Sequence, residues 1–224
     1  MVQTIIHKLS PLDEKYIQIE FQDLVILENS KLKIKDIGSK SAALSSYFFE
    51  YLTGYQVPTA YVKQDSDRIL KFVDYTEFKF FIKILNVADK RLSKILGIKE
   101  HSELKLPVYE FRYGNYKENL LNESHLLSFE FCNAEEIRSI LRISSKINAV
   151  LKSFFERRNE FLTELDLKFC KLNEKLYVCG NFTPFGIKVF TKSENNNWVD
   201  PYKLKSSNEI KKYTDFLYNI VRPN

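Results

Sequence analysis

The first third of the chain alternates between apolar and polar positions in the way that sheet strands do. Residues 16–21 alternate, residues 24–27 form a short apolar run, and residues 31–35 alternate strictly between lysine and aliphatic side chains. Successive side chains of a strand point to opposite faces, so the last pattern predicts a strand with one face in water. We therefore expect the chain to begin with sheet.

A helix is predicted from Ser39 to Gly54, because apolar side chains recur there at helical spacing and glycine commonly caps the C-terminus of a helix. Three further strands are predicted at residues 57–62, 69–75 and 78–85. The last of them is the most apolar segment, so we expect it at the centre of a sheet.

The remainder of the chain mixes helices and strands, and its clearest element is a helix at residues 134–158. Asn133 and Glu136 form a capping-type start, and apolar side chains then follow one helical stripe. The other predicted elements are a helix at 88–96 closed by Gly97, a strand at 108–113 that turns at Gly114 and Asn115, a hairpin of strands at 160–169 and 176–179, and a helix that begins at Ser206. Helices and strands thus alternate irregularly in this part of the chain.

Composition limits the class of protein. With 224 residues, 44% of them hydrophobic, the chain is long enough to bury a sizeable core. No apolar run approaches the ~20 residues that span a membrane, and the start lacks a signal sequence, so we expect a soluble cytoplasmic protein. Cys132, Cys170 and Cys179 are odd in number and match no metal spacing, which predicts buried thiols rather than disulfides or a zinc site.

A series of short strings runs in order along residues 38–190. They are Ser45-Ser46-x-x-Phe49-Glu50-Tyr51-Leu52, Val57-Pro58-Thr59, Ser66-Asp67, Asn86-x-Ala88, Leu92-Ser93-Lys94-x-Leu96-Gly97-Ile98, Glu103-Leu104, Asn122-Glu123-Ser124 and Phe182-Thr183-Pro184-x-Gly186. Their spacing, which needs almost no gaps, resembles that of SAICAR synthetases, ATP-dependent ligases that join aspartate to a carboxylated aminoimidazole ribotide. No single string is specific, but the ordered series is.

The resemblance implies a two-lobed α+β fold, with a β-rich N-terminal lobe, a mixed C-terminal lobe and ATP in the cleft between them. We expect the first lobe at residues 1–85 and the second at residues 86–224. It also implies magnesium, because the transfer of a phosphoryl group from ATP to a carboxylate needs a metal ion with hard oxygen ligands.

The family takes its metal ligands from an Asp-Phe-Lys-Leu-Glu strand and from an Asp-Glu pair further on. The ungapped alignment places Glu164, Asp166 and Lys168 at the charged positions of that strand and Gly180-Asn181 at the pair. The first charge is kept, but the lysine has become Asp166 and the metal glutamate has become Lys168. A register shifted by two residues places Cys170 at the glutamate instead. In both registers the glutamate is missing, so we predict no metal ligand and no catalytic residue.

Other ligand positions of the family have changed as well. Lys8 is the one lysine kept from the first phosphate loop, and the second phosphate loop, at residues 28–37, is unrecognisable. The remaining changes are given with the residues of this chain first and those of the family second. They are Ile37-Gly38 for Lys-Gly, Ser41 and Ala42 for two asparagines, Leu85-Asn86 for Arg-Asn, Lys90-Arg91 for Gly-Ser, Glu118-Asn119 for Asp-Pro and Ile187-Lys188 for Ser-Arg. The resemblance leaves Asn86 and Lys188 as candidate substrate-binding residues, and Lys8, Glu164 and Lys168 as candidate nucleotide-binding residues.

Three functions are consistent with these residues. The losses favour a non-catalytic family member that binds a nucleotide, another anionic ligand or a protein partner. The second function is an active ligase of the same or shifted specificity, in which Lys8, Glu164, Asp166 and Lys188 have new roles. The third is a nucleic-acid-binding module built on Lys31, Lys33 and Lys35 with Arg157 and Arg158. It is disfavoured because a net charge of +5 spread along the chain forms no stripe.

Lys168 is the most unusual replacement, because it puts an ammonium group where the family holds a metal ligand. We hypothesise that it forms a metal-free anion site with Lys8 and Lys188. Glu164 or Asp166, which share its face of the strand, would partly neutralise it. The sequence leaves a homodimer open as a further assembly.

Overall fold

The computed structural model describes residues 2–13, 15–27, 30–114, 119–180, 182–191 and 199–222. Its strands are β1 Val2–Asp13, β2 Tyr16–Leu27, β3 Ser30–Lys33, β4 Tyr61–Ser66, β5 Ile69–Val73, β6 Thr76–Val87, β7 Glu103–Tyr113, β8 Leu120–Leu121, β9 Glu160–Leu172, β10 Lys175–Gly180 and β11 Ile187–Thr191. Its helices are α1 Ile37–Gly54, α2 Lys90–Leu96, α3 Glu123–Ser128, α4 Ala134–Glu156 and α5 Ser207–Val221.

The strands form two antiparallel sheets. The first has the order β1-β2-β5-β4, with β3 also paired to β2. The second has the order β10-β9-β6-β7-β8, and β11 pairs with the first half of β9. Helix α1 packs on β2 of the first sheet, and α4 packs on β9 of the second. This arrangement confirms the predicted α+β class.

Aromatic side chains pack between the two halves of the molecule. Phe49 of α1 meets Phe182 and Phe72 edge-on, with ring centroids 5.0 and 5.4 Å apart, and Phe48 meets Phe154 of α4 at 5.4 Å. All five rings are buried. Edge-to-face pairs of buried rings add to the stabilisation that comes from area burial. Apolar packing through α1 therefore joins the two sheets, together with backbone hydrogen bonds between Val178 of β10 and residues 58 and 60.

Several predicted elements are confirmed. Strand β6 lies between β9 and β7, so the most apolar segment is central. At the start of α4, Asn133 Oδ1 accepts from the Glu136 backbone N–H at 2.9 Å, and Glu136 Oε2 accepts from the Asn133 N–H at 2.8 Å. Gly97 ends α2 with a φ of 67°, a left-handed conformation that suits glycine. The hairpin of β9 and β10 and the start of α5 after Ser206 are confirmed as well.

Other predictions were wrong or incomplete. Gly54 does not cap α1, because the helix continues through it and Tyr55 is the C-cap, with the left-handed conformation at Gln56. The runs at 16–21 and 24–27 belong to one strand, β2. Four elements, β1, β8, β11 and α3, were not predicted from the sequence. Strand β8 has two residues and α3 has six, and such lengths give little periodicity to read.

Some expectations remain predictions. The division at residues 85 and 86 falls within β6, whose partners β7 and β9 belong to the second sheet. Asn115, Glu118 and Asn181, and residues 28 and 29 of the second phosphate loop, lie outside the described residues.

The three cysteines are free and buried, as predicted. No helix in the described part of the chain is long and apolar enough to cross a membrane.

Candidate functional site

One face of the six-stranded sheet carries charged side chains on three neighbouring strands. In β9, the side chains of Leu165, Leu167 and Phe169 belong to the apolar core, whereas the alternate residues lie on the opposite face. We call this surface the charged face and define it by Lys83 of β6, Glu164, Asp166 and Lys168 of β9, and Lys188 of β11.

Glu164 is the most buried residue of the charged face, with only 5% of its side chain exposed. Its Oε2 atom lies 3.1 Å from Lys83 Nζ and 2.8 Å from Lys188 Nζ. Burial alone would raise the pKa of Glu164, but the two ammonium groups outweigh burial and lower that pKa to about 2. Glu164 is therefore ionised at neutral pH, with two lysines as its counter-ions.

Asp166 is the second carboxylate of the charged face. It lies directly opposite Lys83 in the β6–β9 pairing, and its Oδ1 atom is 2.9 Å from Lys83 Nζ. Burial lowers the pKa of Lys83, but Asp166 and Glu164 together raise it above its ordinary value. Lys83 was not among the predicted site residues. The available signal was a lysine inside a strand predicted to be central, where a buried ammonium group needs a partner.

Lys188 is held between a carboxylate and an aromatic ring. It lies opposite Glu164 in the β11–β9 pairing, and its ammonium group is 4.1 Å from the centre of the Tyr202 ring. The Tyr202 hydroxyl donates to Thr163 Oγ1 at 3.1 Å, and Thr163 Oγ1 donates to the Lys188 carbonyl at 3.0 Å. Burial, assisted by the charge of Glu164, raises the pKa of Tyr202. Tyr202 is thus a neutral support for Lys188.

Lys168 has a different partner from the one predicted. Its ammonium group lies 2.7 Å from Glu77 Oε1 of β6, and both side chains are 40% exposed. Neutralisation by Glu164 or Asp166 was therefore the wrong prediction, because these carboxylates already contact Lys83 and Lys188. An exposed ion pair of this kind contributes about 0–1 kcal/mol. Lys168 lies on the edge of the charged face, in an ordinary surface salt bridge.

The structure does not gather the other two candidates at this site. Lys8 of β1 is 60% exposed, and its ion pair within the described residues is with Asp74, at 3.8 Å. Asn86 is buried and forms a reciprocal amide pair with Asn148 of α4, with both N–H···O distances 2.9 Å. Their roles toward nucleotide and substrate remain predictions.

A second cluster surrounds the buried Glu110 of β7, which lies opposite Lys83 in the β6–β7 pairing. Arg91 of α2 donates to one of its carboxylate oxygens. Arg112 donates to the other, from Nε at 3.0 Å, and to Asn119 Oδ1 at 2.9 Å. Arg91 and Asn119 were aligned with changed family positions, but their connection through Arg112 and Glu110 was not predicted.

The charged face does not fit the magnesium ion that the resemblance implies. Glu164 Oε2 and Asp166 Oδ1 both contact ammonium groups, and Lys168 follows on the same face. Within the described ranges, no group of three or more His, Cys, Asp or Glu side chains is arranged to hold a metal ion. A divalent cation would have to displace Lys83 and would be repelled by Lys188.

The residues of the nucleic-acid hypothesis do not form a cluster by any described contact. Lys31 and Lys33 of β3 are exposed, and so is Lys35, which follows the strand. Arg157 donates to the Tyr51 hydroxyl at 2.8 Å, and Arg158 lies over the Phe154 ring of its own helix. Both arginines are thus engaged within the protein.

Comparison with known sequences gives one consistent family. A model of the SAICAR synthetase family matches residues 9–206. The phosphoribosylaminoimidazole-succinocarboxamide synthase of Caldanaerobacter subterraneus subsp. tengcongensis is 30% identical over 184 residues, which cover 80% of this chain and 78% of that protein. The synthase of the same name from Aquifex aeolicus is 28% identical over 186 residues, covering 81% and 86%.

Solved structures agree on the fold. The phosphoribosylaminoimidazole-succinocarboxamide synthase from Ehrlichia chaffeensis matches with a TM-score of 0.85 at 23% identity, covering 97% of this chain and 96% of that chain. A SAICAR synthetase in complex with ADP matches with a TM-score of 0.84 at 22% identity, covering 96% and 95%. At these identities, the agreement establishes a common architecture.

Proposed function

Because this chain belongs to the SAICAR synthetase family, we propose that it is a non-catalytic member, which keeps the family's fold and binds an anionic ligand but does not perform the ligation. The main support for this proposal is that lysine ammonium groups already pair with the carboxylates of the charged face. Glu164 and Asp166, the carboxylates on the strand that supplies metal ligands in the family, are neutralised by Lys83 and Lys188.

Loss of the metal ligand and loss of the substrate grip act together. Lys168 replaces the metal glutamate of the resemblance, and Leu85 replaces its substrate arginine, so two groups that would stabilise charge are missing. Removal of one such preorganised group typically lowers the rate about 10²–10³-fold. Two losses of this kind would reduce the family reaction to a level that ordinary turnover assays do not detect.

The proposed ligand is a nucleotide or another anion. The SAICAR synthetase solved with ADP has the same fold as this chain, which supports a nucleotide first. Lys8 is the most exposed of the candidate cations, whereas Lys188 already has a carboxylate partner. We therefore expect weaker binding than in an enzyme whose cations are free to meet phosphate.

Two measurements test the proposal on the purified full chain. With ATP, aspartate, the carboxylated ribotide and magnesium, we expect no product, with the Caldanaerobacter synthase as the positive control. In thermal-shift assays, ADP or ATP should raise the melting temperature, because a ligand that binds the native state stabilises it. Turnover of about 1–10³ per second would refute the non-catalytic reading. No shift with ADP, ATP or phosphate would refute the anion-binding reading.

One observation favours an active enzyme of shifted specificity as the second candidate. Asp166 replaces the lysine of the family strand, but Lys83 places an ammonium group 2.9 Å from it. The positive charge is thus moved to the neighbouring strand rather than lost. Replacement of the ribotide and aspartate by related carboxylates and amines in the same assay separates this candidate from the first.

The remaining expectations extend the proposal. A cytoplasmic location follows the biosynthetic role of the family, and lobes at residues 1–85 and 86–224 follow the resemblance. A homodimer is a further possibility, and light scattering of the purified protein tests it. A nucleic-acid role is disfavoured, and an RNA-binding titration tests it.

A further inference from the structure

The Lys83 ammonium group occupies a position between two carboxylates that has the form of a cation site. Glu164 and Asp166 are two residues apart on β9, so their side chains leave the strand on the same face. One oxygen of each approaches the same nitrogen, at 3.1 and 2.9 Å. Carboxylate oxygens are the ligands that Mg²⁺ and Mn²⁺ prefer.

We propose that Lys83 is a built-in cation, which closes a divalent-cation site formed by Glu164 and Asp166, and that removal of its ammonium group opens this site to Mn²⁺ or Mg²⁺. The inference rests on the proposed function and extends it, because it identifies the Lys83 ammonium group as the charge that takes the place of a metal ion. The contacts of Lys83 with Glu164 and Asp166, on which the inference is based, are the same whether or not the protein converts a substrate.

The charge balance explains why the site is closed in the wild-type protein. Lys83 and Lys188 carry two positive charges, and Glu164 and Asp166 carry two negative charges, so the four residues are neutral together. A divalent cation added to this group would meet two ammonium groups at short distance and gain no net attraction. Without Lys83, Glu164, Asp166 and Lys188 carry one net negative charge, which attracts a cation. The neighbouring Glu110, opposite Lys83 on β7, is already paired with Arg91 and Arg112.

The two carboxylates would have to approach a metal ion more closely than they approach Lys83. Lys83 Nζ donates a hydrogen bond to Glu164 Oε2 and forms an ion pair with Asp166 Oδ1. Mg²⁺ binds oxygen at about 2.0–2.1 Å, so both carboxylates would have to move closer. The Asp166 side chain is 17% exposed and the Lys83 side chain 20% exposed, so solvent reaches this part of the charged face. Water can therefore supply the ligands that the two carboxylates do not.

The decisive variant is Lys83→Gln, which removes the ammonium group and keeps a polar side chain of similar length. Mn²⁺ titration followed by electron paramagnetic resonance measures the loss of the free-ion signal, with no nucleotide or substrate present. We expect the variant to bind Mn²⁺ at least about tenfold more tightly than the wild type, with a Kd on the order of 10⁻⁴ to 10⁻³ M, the range of the weakest Ca²⁺-binding protein modules.

Three controls define the site. Lys83→Arg keeps the charge and should remain closed to Mn²⁺. Lys168→Gln removes a lysine from the same face whose partner is Glu77, and it should not bind Mn²⁺ either. The double variant Lys83→Gln/Asp166→Asn should lose the Mn²⁺ binding of the single variant.

Each outcome decides the proposal. If Lys83→Gln is folded and binds Mn²⁺ no better than the wild type, or if Lys168→Gln gains the same affinity, the proposal is overturned. If Lys83→Gln unfolds, MnCl₂ should restore its circular dichroism more than NaCl of equal ionic strength, and equal recovery overturns the proposal. Turnover by the wild type would overturn the proposed function alone, since metal binding is measured without substrates.

Discussion

Replacement of Glu160 by glutamine should stabilise the protein at neutral and alkaline pH. Glu160 begins β9 and is only 8% exposed. Its Oε1 accepts from Thr191 Oγ1 at 3.3 Å, and its Oε2 has no hydrogen-bond partner within the described residues. Burial raises the pKa of this carboxyl to about 7. Glu160 thus contrasts with Glu164, four residues along the same strand, whose lysine partners lower its pKa.

The magnitude follows from linkage between protonation and folding. A pKa of about 7 in the folded protein, against 4.5 ordinarily, corresponds to about 3 kcal/mol at about 1.4 kcal/mol per tenfold change. The folded protein binds this proton more tightly than the unfolded chain does. Stability should therefore fall as the pH rises from 4.5 to about 7, and stay lower above that. Glutamine removes the charge but adds an amide that needs partners, so we expect a net gain of about 1–2 kcal/mol.

Urea denaturation across this pH range measures the effect, with Glu164→Gln as the matched control. The pKa of Glu164 is lowered to about 2, so its contribution is present above pH 4.5 and is lost as the pH falls through 2. Glu164→Gln should therefore destabilise the protein at every pH at which Glu160→Gln stabilises it. The reasoning is refuted if Glu160→Gln is no more stable than the wild type above pH 7 while Glu164→Gln is destabilised as expected.

Further predictions concern stability and use chemical or thermal denaturation. Asn86→Leu should cost about 1–3 kcal/mol because it leaves the buried Asn148 amide unpaired, whereas the double variant with Asn148→Leu should recover most of the loss. A double variant as unstable as the sum of the singles would contradict this reading. Gly38→Ala should cost at least about 1–3 kcal/mol, because the added Cβ would lie 2.4 Å from the Phe21 carbonyl oxygen. Gly54→Ala, with no atom within 4 Å of the added Cβ, should instead stabilise α1 by about 0.5–1 kcal/mol, and equal effects of the two substitutions would exclude the steric explanation.

The elements that the sequence predicted correctly are those with strong local signals. Helix α4 has a capping box and a long apolar stripe, and both lie within one segment of the chain. Gly97 marks the end of α2 because only a few residues favour the left-handed conformation found there. Gly54 misled the prediction, since the Val57 N–H donates to the Leu52 carbonyl and Gln56 takes the left-handed conformation instead. A glycine near the end of a helix permits a cap but does not require one.

The candidate site was predicted in part. The resemblance pointed to Glu164, Asp166, Lys168 and Lys188, and the structure places all four on the charged face of one sheet. It did not predict their partners. Lys168 pairs with Glu77 rather than with a residue of its own strand, because β6 passes beside it. Lys83 was missed altogether, because its partners are more than eighty positions away in the sequence.

The sequence by itself therefore determined the family, the α+β class and the positions of the strongly periodic elements, since all of these depend on local patterns or on ordered strings. Only the tertiary structure decided which charges neutralise one another. Pairing of β6, β9 and β11 sets the distances among Lys83, Glu164 and Lys188, and a salt bridge depends on distance and burial rather than on position along the chain.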